Sequence, residues 1–145
     1  MVFNKLRLVV FGLLVMLLSA CAAGGQSGDQ AGQPALAGTQ WILSSMNGNP
    51  PLEGSTVTLT FEQENFGGRS GCNTYGGDYS AAQDGKLTLG SAVMTEMACM
   101  EPAGVMEQET TFVNTLTQAA SYQIDGDQLE VKNADGDTIL VFTKQ

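Results

Sequence analysis

Between residues 39 and 144 the sequence returns repeatedly to short runs with apolar side chains on every second position, a period that only strands satisfy. The clearest is TVTLTF at 56–61, where Val57, Leu59 and Phe61 share one face and Thr56, Thr58 and Thr60 the other. TQWILSSM at 39–46, KLTLG at 86–90, SYQI at 121–124, QLEVK at 128–132 and TILVFTK at 138–144 read the same way. Turn signals separate them: NGNPP at 47–51, QDG at 83–85, DGD at 125–127 and NADGD at 133–137. Short strands joined by such turns pair with their sequence neighbours, so an antiparallel meander is expected.

One segment has a different period. PAGVMEQETTFVNTLTQAA at 102–120 places Val105, Met106, Phe112, Val113, Leu116 and Ala120 on a helical stripe. Pro102 suits a helix start, and Glu107 and Glu109 fall in early turns, where carboxylates meet the positive end of the helix dipole. The expected fold is therefore α+β and mainly antiparallel β, a coiled or barrel-like meander sheet packed against a single helix. Residues 39–145 suffice for one such domain and no more. Trp41, Leu59, Phe61, Met106, Phe112, Val113, Leu116 and Phe142 are the expected core.

Ahead of this domain, Lys5 and Arg7 precede an apolar run from Leu8 to Leu18, followed by LSAC at 18–21. The run makes about 16 Å of helix, roughly half the hydrocarbon thickness of a bilayer, so it reads as a secretion signal and not a permanent span. Residues 1–20 are the expected signal peptide. Residues 21–38 are the expected lipidated cysteine and flexible tether: AAGGQSGDQAGQPALAG at 22–38 has one charge, no aromatic and one leucine, too little to offset its ordering entropy. Such a tether spans about 21–25 Å root-mean-square. Without residues 1–20, Arg69, Lys86, Lys132 and Lys144 stand against fifteen carboxylates, a net charge of −11. Four scattered cations cannot replace the counterions of a polyphosphate, so nucleic acid is not an expected partner.

GGRSGCNTYGGDYS at 67–80 invites three chemical readings. A phosphate loop needs glycines leading from a strand directly into a helix, and here a second glycine pair and another strand-like stretch follow. A zinc knuckle needs more ligands than two domain cysteines in a chain without histidine. The stretch reads instead as a structural corner where the chain turns sharply twice, its glycine pairs marking positive φ or close backbone approach. In an exported protein Cys72 and Cys99 are expected to form a disulfide, worth about 3.5 kcal/mol by loop entropy; the alternative is a redox pair, which usually takes the form C-x-x-C.

Met94, Met97, Cys99, Met100 and Met106 form a sulfur-rich group that suits copper(I) in principle. Core packing is the ordinary role of methionine, and a disulfide removes the thiolate; alternatively Met94, Met97 and Met100 line the mouth of a gap beneath the helix. The DGD and NADGD runs lack the closing glutamate of a calcium loop and read as hairpin turns. No histidine is present to act as a base near neutrality, and Glu107 and Glu109, two apart on a helix, point in different directions. The expectation is a protein that is not an enzyme, with no catalytic residues, cofactor or metal.

The order of Trp41, LTF at 59–61, GCNTYGGDYS at 71–80, LTLG at 87–90, MTEMAC at 94–99, MEQETTFVNTL at 106–116, YQIDGDQLEV at 122–131 and LVF at 140–142 resembles the META domain, the family of the heat-shock protein HslJ. The LSAC segment likewise resembles the lipobox of bacterial lipoproteins, in which the cysteine carries the lipid. The resemblance to the META family implies a compact β domain with one helix, an envelope setting linked to stress and antibiotic tolerance, and no established activity or ligand. Barrel-like pilotins that hold lipid tails are among the relatives it implies. The expected function is that of a cell-envelope lipoprotein held to the membrane through Cys21, in the outer membrane facing the periplasm if the cell is Gram-negative, with a structural or interaction role. The alternative is a binding module for a lipid or small apolar ligand between sheet and helix. If Cys21 carries the anchor, Cys21→Ser should accumulate as an unacylated precursor; a mature-length Cys21→Ser protein still partitioning with membranes on fractionation would rule the anchor out.

Overall fold

The computed structural model describes residues 32–145. Among them, nine strands and one helix follow in the order β1 Thr39–Met46, β2 Thr58–Phe61, β3 Asn65–Arg69, β4 Thr74–Ala81, β5 Leu87–Leu89, β6 Val93–Met94, α1 Val105–Leu116, β7 Ser121–Asp125, β8 Gln128–Lys132 and β9 Thr138–Lys144. The sheet runs β5-β4-β3-β2-β1-β9-β8-β7, with β6 also beside β4 and all pairs antiparallel. A register shift between Leu43 and Ser45 bends β1 where it meets β9. The sheet curls until its two ends meet: Lys86 bridges Ser121, Leu87 N–H donates to the Ala120 carbonyl at 3.0 Å, and Tyr122 N–H donates to the Gly85 carbonyl at 2.8 Å. The result is a nearly closed barrel with α1 packed against it, the architecture expected from the period-two runs and the single helical stripe.

The inward positions of the strands meet the helix stripe in one core. Trp41, Leu59, Phe61, Leu129, Val131, Leu140 and Phe142 come from the sheet, and Val105, Phe112 and Leu116 from α1. The Phe112 ring packs edge-on against Tyr75 at 5.4 Å, and Phe61 against Tyr79 at 4.8 Å. Met106 and Val113, expected in this core, are only partly buried on the flank of the helix. The helix starts at Val105 and not at Pro102, because Gly104 at φ +89° sets the entry and Val105 N–H first closes a turn on the Pro102 carbonyl. DGD and NADGD are hairpin turns, with Gly126 and Gly136 at positive φ.

Two sequence expectations need correction. The stretch at 67–80 is not a twice-turned corner but a hairpin of β3 and β4, with Gly67 opposite Gly76 and Gly68 opposite Tyr75. Its glycine pairs answer to close approach: a Cβ at Gly67 would lie 2.8 Å from the Tyr75 carbonyl oxygen, and one at Gly77 2.7 Å from that of Ser91. Positive φ is confined to Gly71 at the hairpin turn.

The expected tether does not extend to residue 38. Leu36 is 2% exposed in the core, Gln33 N–H donates to the Gln83 carbonyl, Tyr122 Oη–H donates to the Pro34 carbonyl, and Gly38 N–H donates to the Phe61 carbonyl. One leucine anchors a segment that composition alone marks as unstructured. The expected signal peptide, Cys21 and the first part of the expected tether lie outside the described residues. Leu36→Ala should lower the unfolding free energy by about 2–5 kcal/mol, the range for a buried leucine; a denaturant midpoint unchanged from wild type would restore the tether reading.

Candidate functional site

The site grows from the β3–β4 turn. Gly71 at φ +118° lets Ser70–Asn73 close tightly, with Ser70 N–H donating to the Asn73 carbonyl at 2.9 Å. This turn faces the second turn of α1. Glu109 lies four residues after Val105 and three before Phe112, which puts its carboxylate on the inward face of the helix, 5% exposed. Asn73 N–H donates to Glu109 Oε2 at 2.7 Å, Asn73 Nδ2 donates to Oε1 at 2.6 Å, and Ser70 Oγ–H lies 2.5 Å from Oε2. Ser70 Oγ also lies 2.9 Å from the Asn73 carbonyl, and its single hydroxyl proton is directed to the nearer and charged carboxylate oxygen.

Burial pushes the Glu109 carboxyl upward, but bonds from the Ser70 and Asn73 side chains and from the Asn73 and Cys72 backbone outweigh it. The net effect holds the group below its ordinary value of 4.5. Every neighbour is a donor, and an ionised carboxylate is the only acidic side chain that accepts from all of them. Glu107, by contrast, lies exposed in the first turn. The two carboxylates do point apart as expected, but Glu109 serves the hairpin and not the helix dipole.

Asn73 passes the constraint onward. Its Oδ1 accepts from Met97 N–H at 2.7 Å and from Thr95 Oγ1–H at 2.8 Å, while its Nδ2 donates to the Met97 carbonyl at 3.1 Å. Cys72 and Cys99 are joined as a disulfide with Cα atoms 5.8 Å apart. The backbone of 95–99 is thus fixed to the hairpin turn by one amide side chain and one covalent bond. On the other side of the turn, Gln108 Oε1 accepts from Leu52 N–H and its Nε2 donates to Ser55 Oγ, which ties the 52–55 loop to α1.

Between segment 92–98 and the flank of α1 lies an open cleft of about 780 Å³. Met94 and Met97 form one wall, Met106 and Val113 the other, and Asn73 and Glu109 reach its floor. Met94 packs partly against the core, while Met97 and Met100 do not serve as core filler. Met97 is 56% exposed, Met100 84%, and Met94 and Met106 are half-buried at the cleft walls. Met100 does not line the cleft that it was expected to help line, and Phe112 and Leu116 are buried in the core. Sequence reasoning missed the Asn73–Glu109 pair; the available signal was a glutamate on the apolar stripe of a helix.

The META domain family model matches residues 34–145, beginning within the segment that the structure packs into the barrel. Among solved structures, an NMR structure of a protein from Burkholderia xenovorans is 31% identical, with 76% of this chain and 83% of that one covered and a TM-score of 0.61. A second NMR structure is 24% identical, with 74% and 90% covered and a TM-score of 0.58. The crystal structure of a DUF4847 family protein from Bacteroides vulgatus ATCC 8482 is 17% identical, with 74% and 93% covered and a TM-score of 0.54. The last two show the fold alone. No curated protein matches the chain.

Because the folded-state value of Glu109 is lowered, its contribution to stability is present in full above pH 4.5 and is lost as pH falls through the folded-state value. Glu109→Gln turns an amide NH2 toward buried donors and should cost about 1.5–3 kcal/mol near neutrality. It should also flatten the acid limb of a stability–pH curve; a variant that keeps the wild-type acid limb would show that Glu109 is not the group responsible.

Proposed function

The chain belongs to the META domain family, and from that premise we propose that it is a non-catalytic interaction module of the cell envelope, anchored by lipid on Cys21, whose contact surface is the methionine-walled cleft. The carrying observation is the contrast within that cleft. Its backbone is pinned by Asn73 and by the disulfide, while its walls are unbranched thioether side chains left open to solvent. Methionine adapts its shape to what it meets, and a fixed backbone beneath it limits the entropy lost on binding. The lipobox-like LSAC supports an address at a membrane surface, the outer membrane facing the periplasm if the cell is Gram-negative. A role in envelope stress or antibiotic tolerance fits that placement.

A second reading takes a lipid or other small apolar ligand in the same cleft, because about 780 Å³ lies within the range of small-molecule sites. The two readings differ in what reaches Met97. A photo-crosslinking residue at position 97 in the full chain, activated in intact cells, should give a discrete protein adduct that is absent when the same residue replaces Asp135 in the β8–β9 turn. Uptake of a fluorescent fatty acid by the purified domain, without any protein adduct at position 97, would favour the ligand reading and overturn the first.

A further inference from the structure

The backbone of segment 93–97 says how a partner would be held. Thr95 N–H donates to the Thr74 carbonyl at 3.1 Å, and Thr74 N–H is met by Thr95 Oγ1, so residue 95 faces β4. Tyr75 pairs with Met94 and Gly76 with Val93 across the same ladder. Successive residues of an antiparallel strand turn their N–H and C=O groups to opposite sides, so Met94 presents its own away from β4; just beyond the strand, Glu96 sits between Thr95, bonded to Thr74, and Met97, bonded to the Asn73 side chain. Outside the β4–β6 ladder, no hydrogen bond among the described residues reaches the N–H or C=O of Met94 or Glu96. Elsewhere the sheet closes its seam, with β5 reaching β7 through the Lys86–Ser121 bridge. Beside β6 no strand completes the barrel, and α1 stands across the cleft instead.

Proteins usually blunt an open edge with lysine, proline or an inward charge. Here the edge strand is short, two residues, and carries Val93, 78% exposed, and Met94, with Glu96 and Met97 just beyond it and neither lysine nor proline. The residues around the cleft include Glu96 at its rim and the ionised Glu109 in its floor, and no lysine or arginine. Among the described residues the one ion pair is Lys132–Glu130 on β8, so neither cleft carboxylate has a cation partner.

We propose that the free edge of β6 accepts an extended segment of a partner protein as an added strand, with apolar side chains set between Met94 and Met97 on one side and Met106 and Val113 on the other, and with basic residues toward Glu96. This rests on the reading of the cleft as the contact surface and specifies its occupant. An extended chain fits because its backbone offers a matched donor and acceptor to the outward N–H and C=O groups of the β6 edge. A basic one is favoured because Glu96 and Glu109 line the cleft and no lysine or arginine does. An acyl chain supplies neither.

The probe is a decapeptide of alternating lysine and valine, titrated into the full mature chain and followed by backbone amide exchange. Saturating peptide should slow exchange at Met94 and Glu96 by about tenfold or more, while an alternating glutamate–valine decapeptide should not bind. Met94→Pro deletes the outward N–H without removing a bond to β4 and should abolish binding, whereas Met94→Ala, which removes only the thioether, should retain most of it. Thermal melts check that both variants fold, and the exchange measurement on wild type stands without them. No binding of the lysine–valine peptide at millimolar concentration, binding without protection at Met94 and Glu96, or equal binding by the folded Pro and Ala variants would overturn strand addition. Any of these results together with a protein adduct at position 97 would leave the cleft as the contact surface but with another kind of occupant.

Discussion

A buried carboxylate that accepts hydrogen bonds from both sides of one tight turn is the constraint on which this domain's working surface depends. The barrel's seam is closed by backbone bonds only where β5 reaches β7, and beyond that point the wall is completed by α1. Apolar packing of Phe112 and Leu116 places the helix, but hydrophobic contact is non-directional and does not by itself fix its rotation or height. Glu109 supplies the direction. Its two oxygens are matched to donors at fixed positions on Ser70 and Asn73, and leaving those donors unpaired would be costly in a site this dry.

Asn73 is well suited to carry that constraint further because a carboxamide both donates and accepts. One end meets Glu109, and the remaining capacity meets the N–H and the carbonyl of Met97, as a neighbouring strand would. A side chain thus continues the sheet where the backbone of 95–98 leaves regular pairing. The Cys72–Cys99 disulfide restrains the same two pieces of chain from the adjacent position. The pair restricts the unfolded chain through the covalent link and specifies the folded one through the amide, which are different contributions and not substitutes for each other.

The strands that were legible in the sequence are those whose inward side chains are large. QLEVK alternates leucine and valine with polar residues, TILVFTK carries a continuous run of isoleucine, leucine, valine and phenylalanine, and the observed β8 and β9 have the expected limits. NFGGR and TYGGDYSA form strands of equal standing, but their glycines remove the side chains in which alternation is read, so they resemble turns. Only the neighbours, with carbonyl oxygens within 3.1 Å of where each Cβ would stand, explain why glycine is there. The Leu36 anchor was hidden for the opposite reason, a single apolar residue in a stretch whose composition is that of a linker. Of the site, the cysteine pairing followed from counting. The Glu109–Asn73 pairing did not, because a glutamate near a helix start has an ordinary explanation in the helix dipole, and choosing between the two needs the helix's rotation.

The placement of the methionines separates two requirements that a contact surface must reconcile. A soft backbone under soft side chains would lose its freedom at the moment of binding, at about 1–2 kcal/mol for each residue ordered. Here the backbone of 95–99 has been ordered in advance by folding, through bonds that terminate in the core at Glu109 and at the hairpin turn. What remains free is the rotation of thioether side chains, which make dispersion contacts with many shapes and demand no particular hydrogen-bond partner. The same division puts the buried polar groups of the cleft, Asn73 and Glu109, in its floor. Their bonds are spent on holding the scaffold, so they cannot select a ligand. Selectivity must then come from what stays unsatisfied around them, the edge of β6 and the uncompensated charge of Glu96.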